Sequence, residues 1–401
     1  MRDVVIVDAC RTAVGTIGGT LRDVKPEELA RVVIKGVLDR TGLDPAKVDE
    51  VVLGHCRQSS DNPNIARIAA LRAGVPEEVP AYTVMRQCAS AMTAVAQGVN
   101  AIRVGEADVV IAGGTESMST APFYIRGARF GLGTGSTQLL DSLTEGQFQS
   151  QPQETYGVFN MGMAGGEHIV EQMGEKYSIT REDMDKFSLE SQNRAAKAIA
   201  EGKFKDEIVP VIIPQKKGDP IVFDTDEYPR ATTLEKLAKL APAFKKDGSV
   251  TAGSSSGRND GASALLIMGA DTAEKLGLKP LARIVAHAVA GVDPRIMGFG
   301  PVPAVRKALE RANLSVSDIE LFELNEAFAA QSLAVIRELG LNTDIVNVNG
   351  GAIALGHPVG SSGCRIMVTL LHEMKKRGLK RGLASLCIAG GMGEATIIEA
   401  L

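Results

Sequence analysis

The sequence of 401 residues contains no tryptophan, and only 4% of its residues are aromatic. It has no apolar run near the roughly 20 residues that cross a bilayer, which argues against a membrane-spanning protein. Five cysteines are too few for a disulfide framework in a chain of this length, so we expect free thiols and a reducing, cytoplasmic setting. The opening segment 1–7 reads as a strand rather than as a basic leader.

An excess of charge of one sign is also missing. The net charge of −4 excludes a general nucleic-acid binder or a protein held on anionic membranes, although one local basic patch for a phosphorylated ligand is compatible with it. Cys-x-x-Cys is absent, and no Cys/His spacing is typical of zinc, so we predict no metal site. The pairs Gly113-Gly114 and Gly390-Gly391 lack the spacing of a dinucleotide-binding fingerprint, so we predict no nicotinamide cofactor.

What the chain does contain is 44% apolar residues and 43 glycines, arranged as short apolar strands that alternate with helical patterns. This alternation predicts an α/β protein with a mainly parallel sheet. The predicted strands are 4–8, 51–54, 107–112 and 264–268, and the predicted helices include 26–41, 65–73, 90–103 and 362–376.

The alternation stops between residues 119 and 249. Residues 127–135 are rich in glycine and arginine, and helices are predicted only at 165–176 and 181–201, the second capped by Thr180. Long insertions of this kind usually cover a functional site. We therefore expect three units: residues 1–118 with 250–270, an inserted loop domain at 119–249, and residues 271–401.

An internal duplication supports this division. Residues 38–53 and 309–324 align without gaps, and residues 110–114 resemble 387–391. Two matches in the same order indicate two similar halves. We expect the functional groups to meet at the interface between them.

Two cysteines and one histidine lie on turns of small residues. Cys88 precedes the helix at 90–103, whose N-terminus and a nearby imidazole should lower the pKa of the thiol; a buried structural thiol is the alternative. His357 lies in Gly-His-Pro-Val-Gly-Ser-Ser-Gly, where Pro358 restricts its backbone, and it is a candidate general base or a satisfied core residue. Cys387 ends an apolar run before Gly390. Small residues of this kind let a substrate and backbone N–H groups approach a sulfur closely.

Two further segments are weaker candidates. Asn325 follows a predicted strand at 319–324, where its amide could donate a hydrogen bond to a carbonyl or hold a water that does so. The alternative is that Asn325 is the N-cap of the following helix. The Gly-Ser-Ser-Ser-Gly loop at 253–257 suits a phosphate or an amide-bearing chain.

Taken together, these strings resemble the thiolase family of acyl-CoA acyltransferases from end to end. The resemblance rests on six motifs in family order, at residues 8–15, 85–91, 112–119, 325–329, 356–363 and 387–393. It implies two similar βαβ-rich halves packed as a layered α-β-α-β-α core with an inserted loop domain.

The resemblance also implies catalytic roles. Cys88 would be acylated, His357 would take its proton, and Cys387 would move a proton on and off the α-carbon of acetyl-CoA. Asn325 would order a water that forms one oxyanion hole with His357, and the N–H groups of Cys88 and Ala389 would form the second. One sulfur cannot be acylated and act as the base together, which is why two cysteines are needed.

Substrate-binding residues follow from the same resemblance. Ser256 and Arg230 would contact coenzyme A, and Met161 would lie at the acyl group. The sequence departs from the family pattern at Asn160, where short-chain members carry histidine, and at Ala389, where glycine is usual and where we expect a slight reshaping of the second oxyanion hole.

The implied activity is that of an acetyl-CoA C-acyltransferase, which cleaves 3-oxoacyl-CoA with coenzyme A or runs the reverse Claisen condensation. Coenzyme A is then a substrate and no cofactor is permanently bound. A homodimer or homotetramer is implied, with residues 126–135 at a tetramer contact. Another condensing enzyme of the superfamily, or a lipid-binding or scaffold protein without turnover, is the alternative; Cys387 argues against the former, and the presence of all three catalytic groups argues against the latter.

Overall fold

The computed structural model describes residues 2–401. Its strands are β1 Val4–Arg11, β2 Gly15–Thr16, β3 Glu50–Gly54, β4 Ala81–Val84, β5 Val109–Ser117, β6 Phe123–Tyr124, β7 Leu140–Asp141, β8 Val211–Ile213, β9 Ile221–Phe223, β10 Asn259–Gly269, β11 Ala282–Gly291, β12 Leu321–Leu324, β13 Arg381–Ile388 and β14 Met392–Ala400. Its α-helices are α1 Pro26–Thr41, α2 Ile65–Arg72, α3 Ser90–Val104, α4 Ser142–Phe148, α5 Gln153–Tyr156, α6 His168–Met173, α7 Arg181–Ala200, α8 Leu234–Ala238, α9 Ala270–Lys275, α10 Pro301–Ala312, α11 Ala329–Leu339, α12 Ala352–Leu355 and α13 Val359–Arg377.

The main sheet runs in the order β12-β13-β14-β11-β1-β10-β5-β3-β4, and β2 pairs with β10. Only β12–β13, β3–β5 and β3–β4 are parallel, so the expectation of a mainly parallel sheet is wrong. The reason is the return of the chain in each half. The tight turn at Gly390 and Gly391 makes β14 antiparallel to β13, and β10 also returns antiparallel to β5.

The sheet consists of two halves with the same topology. The first half has the order β4-β3-β5-β10-β1, and the second has the order β12-β13-β14-β11. The place that β4 takes in the first half is taken in the second by a single parallel bridge from Val346 to Phe322 of β12. The halves are joined through two residue pairs between β1 and β11. The predicted duplication is confirmed in its first match, since 38–53 and 309–324 each run from a helix end into an equivalent strand.

The second sequence match is out of register. Leu53 pairs with Gly113 in the first half, and the equivalent Leu324 pairs with Ser385 in the second. Gly113 therefore corresponds to Ser385 rather than to Gly390. By the same register, Thr115 in the first half takes the place of Cys387 in the second.

Helices complete the layers. Residues of α3 and α13 share one buried cluster with residues from both halves of the sheet, so these two helices form the central layer. Helices α1 and α2 cover the outer face of the first half, and α10 covers the outer face of the second. The layered α-β-α-β-α architecture is confirmed.

Some individual elements match the predictions and others differ from them. Helix α1 has the predicted bounds, and the predicted cap of α7 is a complete capping box of Thr180 with Asp183. Strand β5, however, continues through Gly113 and Gly114 to Ser117, because these glycines permit close approach rather than a turn. A Cβ at Gly113 would lie 2.0 Å from the carbonyl oxygen of Ser263. Strand β4 was not predicted.

The predicted helix at 165–176 forms as a π-helical stretch, Met163–Glu167, followed by α6. The segment between β5 and β10 also contains two small ladders, β6–β7 and β8–β9. Within residues 2–401, no helix combines the length and the apolarity that a membrane crossing requires.

Candidate active site

The N-termini of the two central helices meet, and this meeting brings the candidate nucleophile and base together. Cys88 precedes α3, and His357 precedes α13. Glycines make the close contact possible: a Cβ at Gly363 of α13 would lie 2.7 Å from the Met92 nitrogen of α3, and one at Gly114 of β5 would lie 2.1 Å from the Gly360 carbonyl oxygen of α13. A larger residue at Gly363 would push the two helices apart, and one at Gly114 would push α13 away from the sheet.

Cys88 lies on a strained turn. Gln87, just before it, has φ of 47°, in the left-handed region that non-glycine residues rarely adopt. The Ser90 hydroxyl holds this turn, since it accepts from the Arg86 N–H at 2.9 Å and donates to the Gln87 carbonyl at 2.7 Å. Strain of this kind persists only where the surroundings fix it, and it is common at functional sites. The turn leaves Cys88 partly exposed.

The environment of the Cys88 thiol differs from the expectation. Burial raises the pKa of Cys88, and a hydrogen bond from the Ala389 N–H and the charge of Arg57 only partly offset this effect. The predicted lowering of the pKa is therefore wrong. The thiol is neutral at rest, so it needs a base to become a nucleophile.

His357 is held in one tautomer. Its Nδ1 lies 2.6 Å from the Ser362 hydroxyl, which donates its only proton to the Pro358 carbonyl at 2.9 Å. The hydroxyl must therefore accept from Nδ1–H, which leaves the lone pair on Nε2. Nε2 is buried and has no protein partner. This is the tautomer that a general base requires.

His357 is also neutral. Burial, assisted by the nearby charge of Arg365, lowers the pKa of His357 to about 3. With the proton on sulfur and a free lone pair on nitrogen, the resting Cys88–His357 pair is uncharged. A thiolate at Cys88 would therefore have to form by proton transfer during an attack, not before it.

Cys387 is the second-to-last residue of β13 and is fully buried. Burial raises the pKa of its thiol, and the charge that Cys88 would carry raises it further. Ala389, two residues along the chain from Cys387, lines the same cavity as Cys88, so the hairpin brings the two cysteine segments together. Cys387 pairs with Gly393 across the hairpin, so no side chain opposes it.

Asn325 directly follows β12, and its N–H donates to the Ser385 carbonyl at 2.9 Å, two residues from Cys387. Both polar atoms of its buried amide lack a protein partner. Helix α11 begins at Ala329 with Phe328 at its N-cap, so the N-cap alternative for Asn325 is wrong. The unpaired amide is free to bind a water or a substrate oxygen.

Ala389 does not require a strained backbone. The positive φ angles of the hairpin fall at Gly390, 88°, and Gly391, 84°, whereas Ala389 is not among the non-glycine residues with positive φ. The expected distortion from alanine at this position therefore has no basis in the backbone. The N–H of Ala389 still reaches the Cys88 sulfur.

A cavity of about 200 Å³ opens at this site. Of the predicted residues, five line it: Cys88, His357, Ala389, Ser256 and Met161. Cys387, Asn325 and Arg230 lie outside the lining. A larger cavity, of about 370 Å³, opens between α7 and α11, but no cysteine or histidine lines it.

Sequence reasoning missed most of the cavity wall. The missed apolar side chains include Met118, Leu143, Phe244, Met297 and Phe328. Phe244 and Phe328 meet edge to face, with ring centroids 5.8 Å apart. Phe328 belongs to a motif that was noticed for Asn325, but nothing in the sequence signals Phe244, which comes from the insertion.

Arg57 and Arg258 are cations in the lining that were also missed. Arg57 lies three residues after the end of β3, and a charged residue in the loop that follows a buried strand is the signal that would have found it. The buried carboxylate of Glu116 holds this region, because it accepts from the N–H groups of Cys56 and Arg57, each at 3.2 Å, and of Gly360 at 3.0 Å. Glu116 thereby fixes the Arg57 turn against the His357 turn.

Arg230 and Asn160, which the sequence analysis also singled out, do not line the cavity. Arg230 is exposed and stacks over Tyr228, with its guanidinium 5.2 Å from the ring centroid. Tyr228 in turn packs against Gly257, a lining residue. The side chain of Asn160 accepts the Met163 N–H at 3.0 Å.

Comparison with known proteins agrees with this geometry. The family descriptions "Thiolase, N-terminal domain" and "Thiolase, C-terminal domain" match residues 4–271 and 278–400. The chain is 53% identical to an acetyl-CoA acetyltransferase of Pseudomonas aeruginosa, covering 98% of both chains. It is 51% identical to an acetyl-CoA acetyltransferase of Syntrophomonas wolfei over 100% of both chains.

Solved structures agree as well. The acetyl-CoA acetyltransferase of Bacillus anthracis matches with a TM-score of 0.95 at 49% identity, covering 100% of this chain and 99% of that one. Human mitochondrial 3-ketoacyl-CoA thiolase in complex with CoA matches with a TM-score of 0.93 at 45% identity, covering 100% and 98%. The chain belongs to the thiolase family.

Proposed function

We propose that this chain is an acetyl-CoA C-acyltransferase that cleaves 3-oxoacyl-CoA with coenzyme A, or runs the reverse Claisen condensation, through an acyl thioester on Cys88. The observation that carries the residue assignment is the cavity in which a neutral Cys88 thiol, a neutral His357 imidazole and the Ala389 N–H converge. A thiolate suits thioester exchange because it is both a good nucleophile and a good leaving group.

In the first half-reaction, Nε2 of His357 accepts the Cys88 proton while the sulfur attacks the thioester carbonyl. The N–H groups of Cys88 and Ala389 stabilise the oxygen of the tetrahedral intermediate. The coenzyme A thiolate leaves and takes the proton back from His357. The thioester bond of the substrate breaks, a new one forms on Cys88, and the imidazole returns to its neutral state.

In the second half-reaction of synthesis, the Cys387 thiol gives its proton to Nε2 of His357, and the resulting thiolate removes an α-proton from acetyl-CoA. The protonated His357 and a water bound by Asn325 donate hydrogen bonds to the enolate oxygen. The enolate carbon attacks the acyl group on Cys88, whose sulfur leaves and takes back the proton from His357, and Cys387 keeps the α-proton. Thiolysis follows the same steps in reverse. The burial of Cys387 suits this role because it raises the pKa of the thiol, so the thiolate, once formed, is a strong base.

Coenzyme A is in this proposal a substrate, and no cofactor stays bound. Ser256 and Arg230 contact coenzyme A, and Met161 contacts the acyl group. Ser256 lines the cavity, and Arg230 lies just beyond it over Tyr228, which suits a long ligand that extends from the cavity to the surface.

We also propose the division into units. Residues 1–118 with 250–270 form the first half, 271–401 form the second, and 119–249 form a cover over the site. The position of the insertion between the neighbouring strands β5 and β10 supports this, as do Leu143, Met161 and Phe244, which it contributes to the cavity.

We further propose a homodimer or homotetramer in the cytoplasm. The outermost strand β4 is only half-buried, and several apolar side chains are exposed, among them Met85 at 55% and Phe130 at 95%. Phe130 lies in the segment 126–135 that we expect at a tetramer contact. All five cysteines are free, which fits a reducing compartment.

Capture of the acyl-enzyme tests the catalytic proposal. The protein is mixed with acetyl-CoA, quenched in acid and digested, and mass spectrometry should find one acetyl group on the peptide that contains Cys88. Cys88→Ser should abolish it, whereas the matched change Cys364→Ser, at a buried thiol on α13, should retain it. Equal labelling of several cysteines, or none, would favour the scaffold alternative, and acetylation without α-proton exchange would favour another condensing enzyme.

A further inference from the structure

Glu394 is a buried carboxylate that the proposed mechanism does not use. It lies on β14 directly opposite Leu386, so it belongs to the hairpin that carries Cys387. Its side chain is fully buried. A carboxylate without water around it must be held by protein donors, and those donors reveal what it does.

The donors come from the other half of the molecule. Thr93 donates its hydroxyl proton to Oε2 of Glu394 at 2.7 Å, and Nη1 of Arg86 lies 3.4 Å from the same oxygen. Arg86 also donates to the Thr93 hydroxyl at 3.1 Å, which closes a triangle of three side chains. Arg86 and Thr93 lie on opposite sides of Cys88 in the chain, so one carboxylate oxygen contacts both ends of the nucleophile turn.

That turn needs external support. Gln87 holds a positive φ, and its carbonyl accepts from the Ser90 hydroxyl within the turn and from the Cys56 thiol, at 2.9 Å, outside it. A strained backbone relaxes unless surrounding contacts fix it. The triangle supplies such contacts, and it supplies them from the hairpin whose other strand bears Cys387.

We propose that Glu394 is a positioning residue for the proposed reaction. By holding Arg86 and Thr93, it fixes the turn of Cys88 against the hairpin of Cys387 and so sets the geometry between the two sulfurs. This inference rests on the proposed function, because it matters only if Cys88 is the acylated nucleophile. Glu394 does not touch substrate, since the cavity lining does not include it.

The other oxygen of the carboxylate agrees with this role. Oε1 has no hydrogen-bond partner, and His287 Nε2 on β11 lies 3.4 Å away. The Nδ1 atom of His287 instead meets the Thr396 hydroxyl at 3.0 Å. Among the described residues, the side-chain hydrogen bonds of Glu394 therefore go to Arg86 and Thr93 of the Cys88 segment.

Three variants test the proposal in the full-length enzyme. Glu394→Leu removes the carboxylate, and Thr93→Val removes one hydroxyl with little change of shape. Glu399→Gln is the matched control, because Glu399 lies on the same strand and also contacts two arginines, Arg283 and Arg381, far from the cysteines. Each variant is assayed for kcat, for KM of acetyl-CoA, for the rate of Cys88 acetylation, and for thermal unfolding.

We expect Glu394→Leu to lower kcat and the acetylation rate by about 10- to 100-fold with KM almost unchanged, since small displacements of reacting groups have effects of this size. Thr93→Val should show a smaller loss of the same kind, and Glu399→Gln none. If Glu394→Leu does not fold, Thr93→Val decides the question.

Two results would overturn the inference: acetylation rates like the wild type in the Glu394 and Thr93 variants, or a raised KM with an unchanged kcat. The wild-type reaction separates the two proposals. If wild-type Cys88 is not acetylated, the proposed function fails and this inference fails with it. If it is acetylated and the variants match it, only the role of Glu394 is refuted.

Discussion

Replacing Ser362 by alanine tests whether the tautomer of His357 is set as the structure indicates. The hydroxyl of Ser362 is the only partner of His357 Nδ1, at 2.6 Å, and it is fully buried. Alanine leaves the Nδ1–H without an acceptor in a closed space. The imidazole must then keep an unpaired donor or move its proton to Nε2, and the second choice removes the base.

The size of the effect follows from that unpaired group. A buried donor that loses its partner costs about 1–3 kcal/mol. If the whole cost falls on the catalytic tautomer, kcat should drop by roughly 5- to 150-fold, because about 1.4 kcal/mol corresponds to a factor of ten. KM should change little, since Ser362 does not line the cavity.

The assay is steady-state thiolysis of acetoacetyl-CoA, together with the rate at which iodoacetamide alkylates Cys88. Both depend on proton removal from the thiol by His357. Ser361→Ala is the matched control, because Ser361 is a buried neighbour on the same helical turn whose hydroxyl contacts Ser263 at 2.9 Å and not the imidazole.

Equal kcat for Ser362→Ala and Ser361→Ala would refute the reasoning. It would mean that the tautomer does not depend on Ser362, or that His357 is not the base. A fall in kcat that tracks a fall in thermal stability equally in both variants would refute it too, because that pattern reports damage to the helix start rather than loss of one hydrogen bond.

Three further predictions concern the same cavity. Cys387→Ala should abolish exchange of the α-protons of acetyl-CoA in deuterated water, followed by NMR, while Cys88 is still acetylated; thiolysis near the wild-type rate would contradict the role of Cys387. The pKa of His357 is about 3 in the folded protein against 6.5 ordinarily, so its proton binds the unfolded chain better and the protein loses stability as the pH falls from about 6.5 toward 3. The free energy of unfolding, measured with urea, should therefore fall less at acid pH in His357→Asn than in the wild type, by up to roughly 5 kcal/mol. Identical pH profiles of the free energy of unfolding for the two proteins would argue against this assignment. Phe244→Ala should raise kcat/KM for longer 3-oxoacyl chains relative to acetoacetyl-CoA by about tenfold, whereas an unchanged ratio would mean that Phe244 does not limit chain length.

Much of this site could be predicted from the sequence because its chemistry is concentrated in short strings of small residues. Cys88, His357 and Ala389 lie where a turn must admit a substrate, and the cavity contains all three. Helix α1 was also predictable, since Pro26 at its start and Gly42 at its end are local signals.

What the sequence did not reveal depends on contacts between distant residues. The pKa of Cys88 is raised because the folded chain buries the thiol, and a helix N-terminus alone does not overcome that burial. Phe244 reaches the cavity from a segment without regular pattern. The direction of β10 is likewise not predictable from local sequence. The chain returns to the sheet antiparallel to β5 only after a long insertion, and the pattern of apolar residues within β10 does not depend on that direction.

The close contact between α3 and α13 has a consequence for synthesis of the protein on the ribosome. The nucleophile emerges with the first half, but its base and the second sulfur emerge only with the last helix and hairpin. Until those arrive, Cys88 belongs to an incomplete domain with an open face. Until α13 and the last hairpin have been synthesised, the Cys88 thiol of a nascent chain lacks the His357 imidazole and the Ala389 N–H of its cavity, so under the proposed mechanism it cannot yet react with a thioester.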